Sequence, residues 1–242
     1  HRGFGETEQR GLWPAHAVLE ADAAALASLL CARHPGFPLF LLGESMGGAV
    51  VMNMQREVPC IRGIVLVGPA VWGWQTMPFW QRNTLRLAAH VVPGKTLTGK
   101  GLKIIPSDNS EMLRALGRDP LVIKATRIDT IYGLTNLMET ALLSSAELVT
   151  PTLILYGEKD EIIPHDPTCA MLNRLPEIAT TRFVTGRQQW CGRIWWHGYM
   201  ISRHRCPLFS RWMLVHRGYG CCVKTYKDSP RHPLSFDLYQ LI

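Results

Sequence analysis

A serine set between two glycines is the part of this chain best suited to chemistry. The run Gly43-Glu44-Ser45-Met46-Gly47 follows the apolar stretch Phe37-Pro-Leu-Phe-Leu-Leu42 and precedes the small-residue start Gly48-Ala-Val-Val51. A serine hydroxyl is a weak nucleophile until a base takes its proton and fixed dipoles stabilise the oxyanion that its attack creates. A sharp turn from strand to helix supplies part of this. It lifts the Ser45 hydroxyl out of the fold and aims the free N–H groups of the helix start at the same point. Gly43 and Gly47 lack side chains, which lets the strained turn form and the helix pack closely. Ser45 is therefore the expected nucleophile, and Gly43, Glu44 and Gly47 the frame of a nucleophile elbow. The plain alternative is a glycine-rich strand-to-helix turn with an incidental serine.

Such a turn needs a buried strand before it and a helix after it, and 38–42 and 46–56 read that way. Upstream, the spacing predicts a helix over 15–33, with Val18, Leu19, Leu26, Leu29 and Leu30 on one face. Downstream, Ile61-Arg-Gly-Ile-Val-Leu-Val67 reads as a second buried strand closed by Gly68-Pro69. Apolar strands on either side of a helix imply a parallel sheet covered on both faces.

From 71 to 149 the rhythm changes: no strand is expected, and helical stretches fall near 79–91, 109–116 and 121–144. Inserted here, they lie over the C-terminal edge of the sheet, where open α/β folds bind ligands. Trp72, Trp74, Met77, Phe79 and Trp80 suit an apolar ligand, or they serve only to pack the insertion onto the sheet. The sheet resumes at Pro151-Thr-Leu-Ile-Leu-Tyr156 and runs into Gly157-Glu-Lys-Asp160-Glu-Ile-Ile-Pro164. Asp160 thus falls on the same edge as the elbow; a turn aspartate or helix cap is the alternative. A helix over 168–175 and a strand over 181–184 follow.

The 242 residues suit one domain with an insertion. No run of 18 apolar residues suggests a membrane span, and the start shows no secretory signal. Opening on His1-Arg-Gly-Phe-Gly without Met, the chain reads as a fragment or a processed product. The net charge of +7 is confined to one end. Residues 1–186 carry 17 basic and 17 acidic side chains, whereas 187–242 carry nine and two. A neutral body argues against a nucleic-acid partner. Cys31, Cys60 and Cys169 are scattered through the body, and Cys191, Cys206, Cys221 and Cys222 lie in the tail. None has zinc-ligand spacing, and they read as reduced thiols of a cytoplasmic protein.

Four stretches together resemble the monoacylglycerol lipase and lysophospholipase group of α/β-hydrolases, also called the serine aminopeptidase S33-like group. They are Arg2-Gly-Phe-Gly-Glu-Thr7, Gly43-Glu-Ser-Met-Gly-Gly48, Ile64-Val-Leu-Val-Gly-Pro-Ala70 and Pro151 to Pro164. The resemblance implies an α/β-hydrolase fold, a mostly parallel sheet flanked by helices. It places a core over 1–186 and a helical cap at about 71–149. It implies serine hydrolysis of a long-chain acyl ester with no metal or organic cofactor. The partner would be a small lipid ester, with transient contact of the cap with a membrane surface. Ser45 would be the nucleophile, Asp160 the acid that orients a histidine, and the Met46 N–H an oxyanion donor. The chain order Ser…Asp…His is that of the fold.

Both ends depart from the pattern. The family has strands ahead of Arg2-Gly-Phe-Gly5, including a His-Gly loop with a second oxyanion donor, and this chain has no such loop. After the last strand, the family's Gly-x-His register falls on Cys191. His197, in Trp196-His-Gly-Tyr-Met200, is the nearest candidate base and His204 the next; His165 reads as a loop residue. The tail 187–242 holds four of the eight Trp and four of the seven Cys, and reads as out-of-frame translation. An acyl-chain binder with a broken triad, or an inactive fragment, is the alternative function.

Overall fold

The computed structural model describes residues 1–99, 104–105 and 107–184; His197, His204 and the basic tail lie outside them. In chain order the described elements are α1 (His16–Arg33), β1 (Leu39–Glu44), α2 (Met46–Met54), β2 (Ile61–Val67), α3 (Phe79–Val91) and β3 (Thr96–Thr98). There follow α4 (Ser110–Arg118), β4 (Ala125–Arg127), α5 (Ile128–Ser144), β5 (Thr152–Gly157), α6 (His165–Leu172) and β6 (Ala179–Val184).

Four strands form a sheet in the order β1-β2-β5-β6, parallel at every pairing. A helix in each crossover makes this possible, since parallel neighbours need a long return path. The pairing of Glu44 with Val67 and of Gly157 with Val184 brings the strand ends to one edge. One face packs under α1, α2 and α5. Leu19, Leu66, Leu137, Ala141, Leu142 and Ile154 are fully enclosed there. Along β1, Leu39 and Leu41 pack against this core. Phe40 and Leu42 alternate to the other face, 40% and 47% exposed.

Several expectations are corrected. On α1 the buried positions are Leu19, Ala24 and Ala27, whereas Leu26, Leu29 and Leu30 are exposed. Small residues let α1 lie close on its neighbours, so the leucines expected inward are turned away. The insertion after β2 contains strand after all, an antiparallel hairpin of β3 and β4 with Leu97 opposite Thr126. Because 125–127 belong to that hairpin, α5 begins at Ile128 rather than at 121. Directly after Pro164, α6 starts at His165, so that residue opens a helix instead of lying in a loop. A proline at such a boundary has no N–H to leave unpaired.

The reading of reduced cysteines is also corrected. Cys31, in the last turn of α1, and Cys60, just before β2, form a disulfide with Cα atoms 6.5 Å apart. Disulfides persist in oxidising surroundings, so the cysteines no longer support a cytoplasmic setting. Among the described residues no helix is long and apolar enough to cross a membrane.

Candidate active site

At the end of β1 the chain turns through Ser45, which has φ 49° and ψ −115° and precedes the first residue of α2. A positive φ is costly for a residue with a side chain and persists only where the surroundings enforce it. Here the backbone does so. The Ser45 N–H donates to Val67 O at 3.0 Å, and the Ser45 carbonyl accepts from Ala70 N–H at 3.0 Å and Ala49 N–H at 3.3 Å. The turn is thus sewn to the end of β2, the segment 67–70. Its side chain caps nothing in α2, and its hydroxyl makes no hydrogen bond among the described residues.

The steric need for glycine lies at two positions. A Cβ on Gly43 would come within 2.7 Å of Gly47 O and Gly48 Cα. One on Gly48 would press at 3.0 Å on the Pro69 side chain. Real Cβ atoms essentially never come as close as the first contact, and the second is tight, so the first turn of α2 lies directly on β1 and closely on the loop after β2. Gly47 is different, because a Cβ there would meet no atom within 4 Å. The expectation that Gly47 permits the turn by its lack of bulk is therefore corrected, and Gly48 takes that role. Pro69 is itself held from below: buried Tyr156 donates its hydroxyl to Pro69 O at 2.8 Å.

Met46 is the first residue of α2. Its N–H has no acceptor one turn earlier in the helix, as for the opening residues of any helix. Glu44 is half-buried beside Ser45, and burial pushes its carboxyl above the usual range.

Asp160 follows β5, in a turn where its N–H donates to Gly157 O at 3.2 Å. Its Oδ1 accepts from the N–H groups of Ile162 at 2.8 Å and Ile163 at 3.2 Å. Burial raises its pKa, and the two N–H donors pull it back only in part. The other oxygen, Oδ2, is buried without a hydrogen-bond partner among the described residues. One strand, β2, separates β1 from β5, which puts the two backbones about 10 Å apart at two strand spacings.

No histidine among the described residues hydrogen-bonds Ser45 or Asp160. Nor does any group of three or more His, Cys, Asp or Glu among them suit a metal ion. Two contacts near the edge had no sequence signal. Trp74 Nε1 donates to Asn136 Oδ1 at 2.8 Å, with Arg86 over its ring at 5.0 Å. Glu161 accepts from the Ile105 N–H at 3.0 Å, tying the insertion to the Asp160 turn.

Comparison with known proteins agrees with this fold. The family described as serine aminopeptidase, S33 matches residues 1–186. A monoacylglycerol lipase of Mycolicibacterium smegmatis is 29% identical over 155 residues, covering 59% of this chain and 51% of that protein. The monoglyceride lipase of Mus musculus is 29% identical over 171 residues, covering 67% and 54%. The chain spans about half the length of these curated relatives. Among solved structures, Paleococcus ferrophilus monoacylglycerol lipase superposes with a TM-score of 0.60 at 20% identity, covering 77% of this chain and 72% of that one. A carboxyl esterase of Bacillus coagulans reaches 0.62 at 16% identity, covering 78% and 72%. At those identities the likeness is one of fold. With its family match running through both the elbow and the Asp160 turn, the chain belongs to the serine aminopeptidase S33 family of α/β-hydrolases.

Proposed function

We propose that the chain carries the nucleophilic centre of a serine hydrolase that cleaves carboxylic esters of acyl chains, monoacylglycerol- or lysophospholipid-like lipids in particular. The observation that carries the reading is Ser45, held at positive φ at the start of α2 with its hydroxyl unengaged among the described residues. Ser45 Oγ attacks the ester carbonyl while a histidine takes its proton and passes it to the departing alcohol. Water then cleaves the acyl-enzyme by the same route. The Met46 N–H faces the oxyanion, since the helix start carries partial positive charge. Asp160 orients the histidine through Oδ2, the oxygen without a donor among the described residues, and stabilises the imidazolium. His197 is the proposed base. The lipid class rests on the likeness to monoacylglycerol lipases.

A fluorophosphonate probe tests this reading. It is expected to label the folded chain at Ser45 and to leave the Ser45→Ala variant unlabelled. A folded chain that takes up a fatty acyl chain and stays unlabelled is instead a non-catalytic binder.

The insertion at about 71–149 is proposed as the cap, and its outer face as the contact with a lipid surface. Trp80, Leu87 and Val91 follow at helical spacing on α3 and are 66%, 67% and 68% exposed. Aromatic and aliphatic side chains in one outward stripe favour the headgroup boundary of a bilayer. Co-sedimentation with phosphatidylcholine vesicles is expected for the native chain and lost in a Trp80→Ser/Leu87→Ser variant. Equal sedimentation of the two removes this role for α3.

A further inference from the structure

The disulfide between Cys31 and Cys60 closes a span of 29 residues, and that span contains β1, Ser45 and all of α2. Its two ends lie at the edge of the sheet where β1 and β2 begin, opposite the edge that carries Ser45. Noncovalent packing holds the first part of this span weakly. Beyond Ala27, α1 buries no residue. Residues 34–38, which lead into β1, are all exposed. Among the described residues β1 pairs on one side only, and its pairing slips between Leu39 and Phe40. The chain that delivers the nucleophile thus arrives through a helix end and a loop with little apolar anchoring, and the bridge fastens that helix end to the start of β2.

We infer that the Cys31–Cys60 bridge is a redox-responsive clamp on the segment that bears Ser45. Oxidised, it keeps the entry to β1 against β2 and removes extended conformations of the 31–60 loop from the unfolded chain. Cys31 is half-exposed and Cys60 exposed, so a small thiol reaches the bridge. A dithiol such as dithiothreitol passes two electrons and two protons to the bridge, giving two cysteine thiols, and closes into its own disulfide. The entry to β1 then rests on its few noncovalent contacts, and the elbow loosens at a lower temperature. The effect on Ser45 chemistry rests on the proposed hydrolase reading; the effect on stability does not.

The test uses the full chain. Peptide mapping without reductant is expected to recover Cys31 and Cys60 as one linked pair. A Cys31→Ser/Cys60→Ser variant is expected to melt about 5–10 °C lower, from the usual strength of such a bridge and the size of the domain. Between the two midpoints, fluorophosphonate labelling of Ser45 should survive in the oxidised chain and vanish in the variant. Where the variant yields no folded protein, titrating a Cys169→Ser chain with dithiothreitol is expected to give the same downward shift, free of the separate disulfide that Cys169 makes. Free thiols at both positions in the mapped protein, or melting of the variant within about 2 °C of the native chain, overturn the clamp. A native chain that labels at no temperature overturns the hydrolase reading instead, and the melting comparison still decides the clamp.

Discussion

The elbow at 43–48 and the acid turn at 157–164 end two strands of one sheet edge, yet different physics fixes them. The elbow is held by exclusion of volume. Gly43 leaves no room for a Cβ and Gly48 little, and three backbone hydrogen bonds pin the Ser45 peptide to the end of β2 and the start of α2. The acid turn is held by polarity. Two N–H groups grip one oxygen of Asp160 while its other oxygen sits buried and, among the described residues, unmatched. One half of the site is set by steric and backbone contacts, with the titrating Glu44 beside it. The other is half-satisfied, and its protonation depends on burial. Damage to the two should therefore look different.

The largest separation is expected from Asp160→Asn. If Oδ2 orients a histidine toward Ser45, the asparagine favours the wrong tautomer, and ester hydrolysis should fall about 10³–10⁴-fold. The elbow, fixed by its own backbone, stays in place, so thermal melting of the variant should not drop. Unchanged hydrolysis in a folded variant would remove Asp160 from the mechanism and leave the elbow working with some other acid.

A next contrast lies within the elbow itself. Gly43→Ala forces a Cβ into the first turn of α2 at 2.7 Å from backbone atoms that cannot rotate away. Overpacking of this kind costs about 1–3 kcal/mol, measurable as a lower urea midpoint with an unchanged slope. Gly47→Ala places its methyl in open space and should stay within about 0.5 kcal/mol of the native chain. Equal losses at both positions would show that the turn is set by backbone freedom rather than by contact.

These contrasts bear on what the sequence disclosed. The apolar runs of β1, β2 and β5 and the Gly-x-Ser-x-Gly turn between β1 and α2 were readable because each is a local pattern. A buried strand and a close-packed turn both impose residue types over a few positions. Position, too, was readable for Asp160, since a strand ending at Gly157 delivers the next turn to the ligand edge. Gly48 rather than Gly47 as the second close contact was not, because it depends on where Pro69 lies after β2. The inward face of α1 was misassigned for the same reason. Its leucines at 26, 29 and 30 satisfy helical periodicity, but close approach of neighbouring helices selects Ala24 and Ala27. The hairpin at 96–98 and 125–127 pairs residues far apart in the chain, and short polar strands leave no alternation to detect. Nor did the Cys31–Cys60 bridge have a local signature: 29 residues separate its ends.

The smallest expected effect divides the two halves of the site most directly, because it depends on pH. Burial is the leading cause of the raised Asp160 pKa, outweighing the N–H groups of Ile162 and Ile163. A carboxyl whose folded pKa lies above its unfolded value favours the folded state most when protonated. That contribution is complete below the unfolded aspartate range, near about pH 4, and is lost as pH rises through the folded pKa. At neutral pH the native chain therefore bears the cost of a charged, partly buried Asp160. Asparagine is neutral throughout and its oxygen still accepts from Ile162 and Ile163. Asp160→Asn should then be the more stable protein at pH 7, by about 1 kcal/mol or less because solvent still screens the group. The gap in urea midpoints should close as the pH is lowered below about 4. For Gly43→Ala the deficit should be the same at both ends of that range, since a misplaced methyl does not titrate. A gap for Asp160→Asn that ignores pH would mean that the acid turn, like the elbow, is fixed by shape and not by charge.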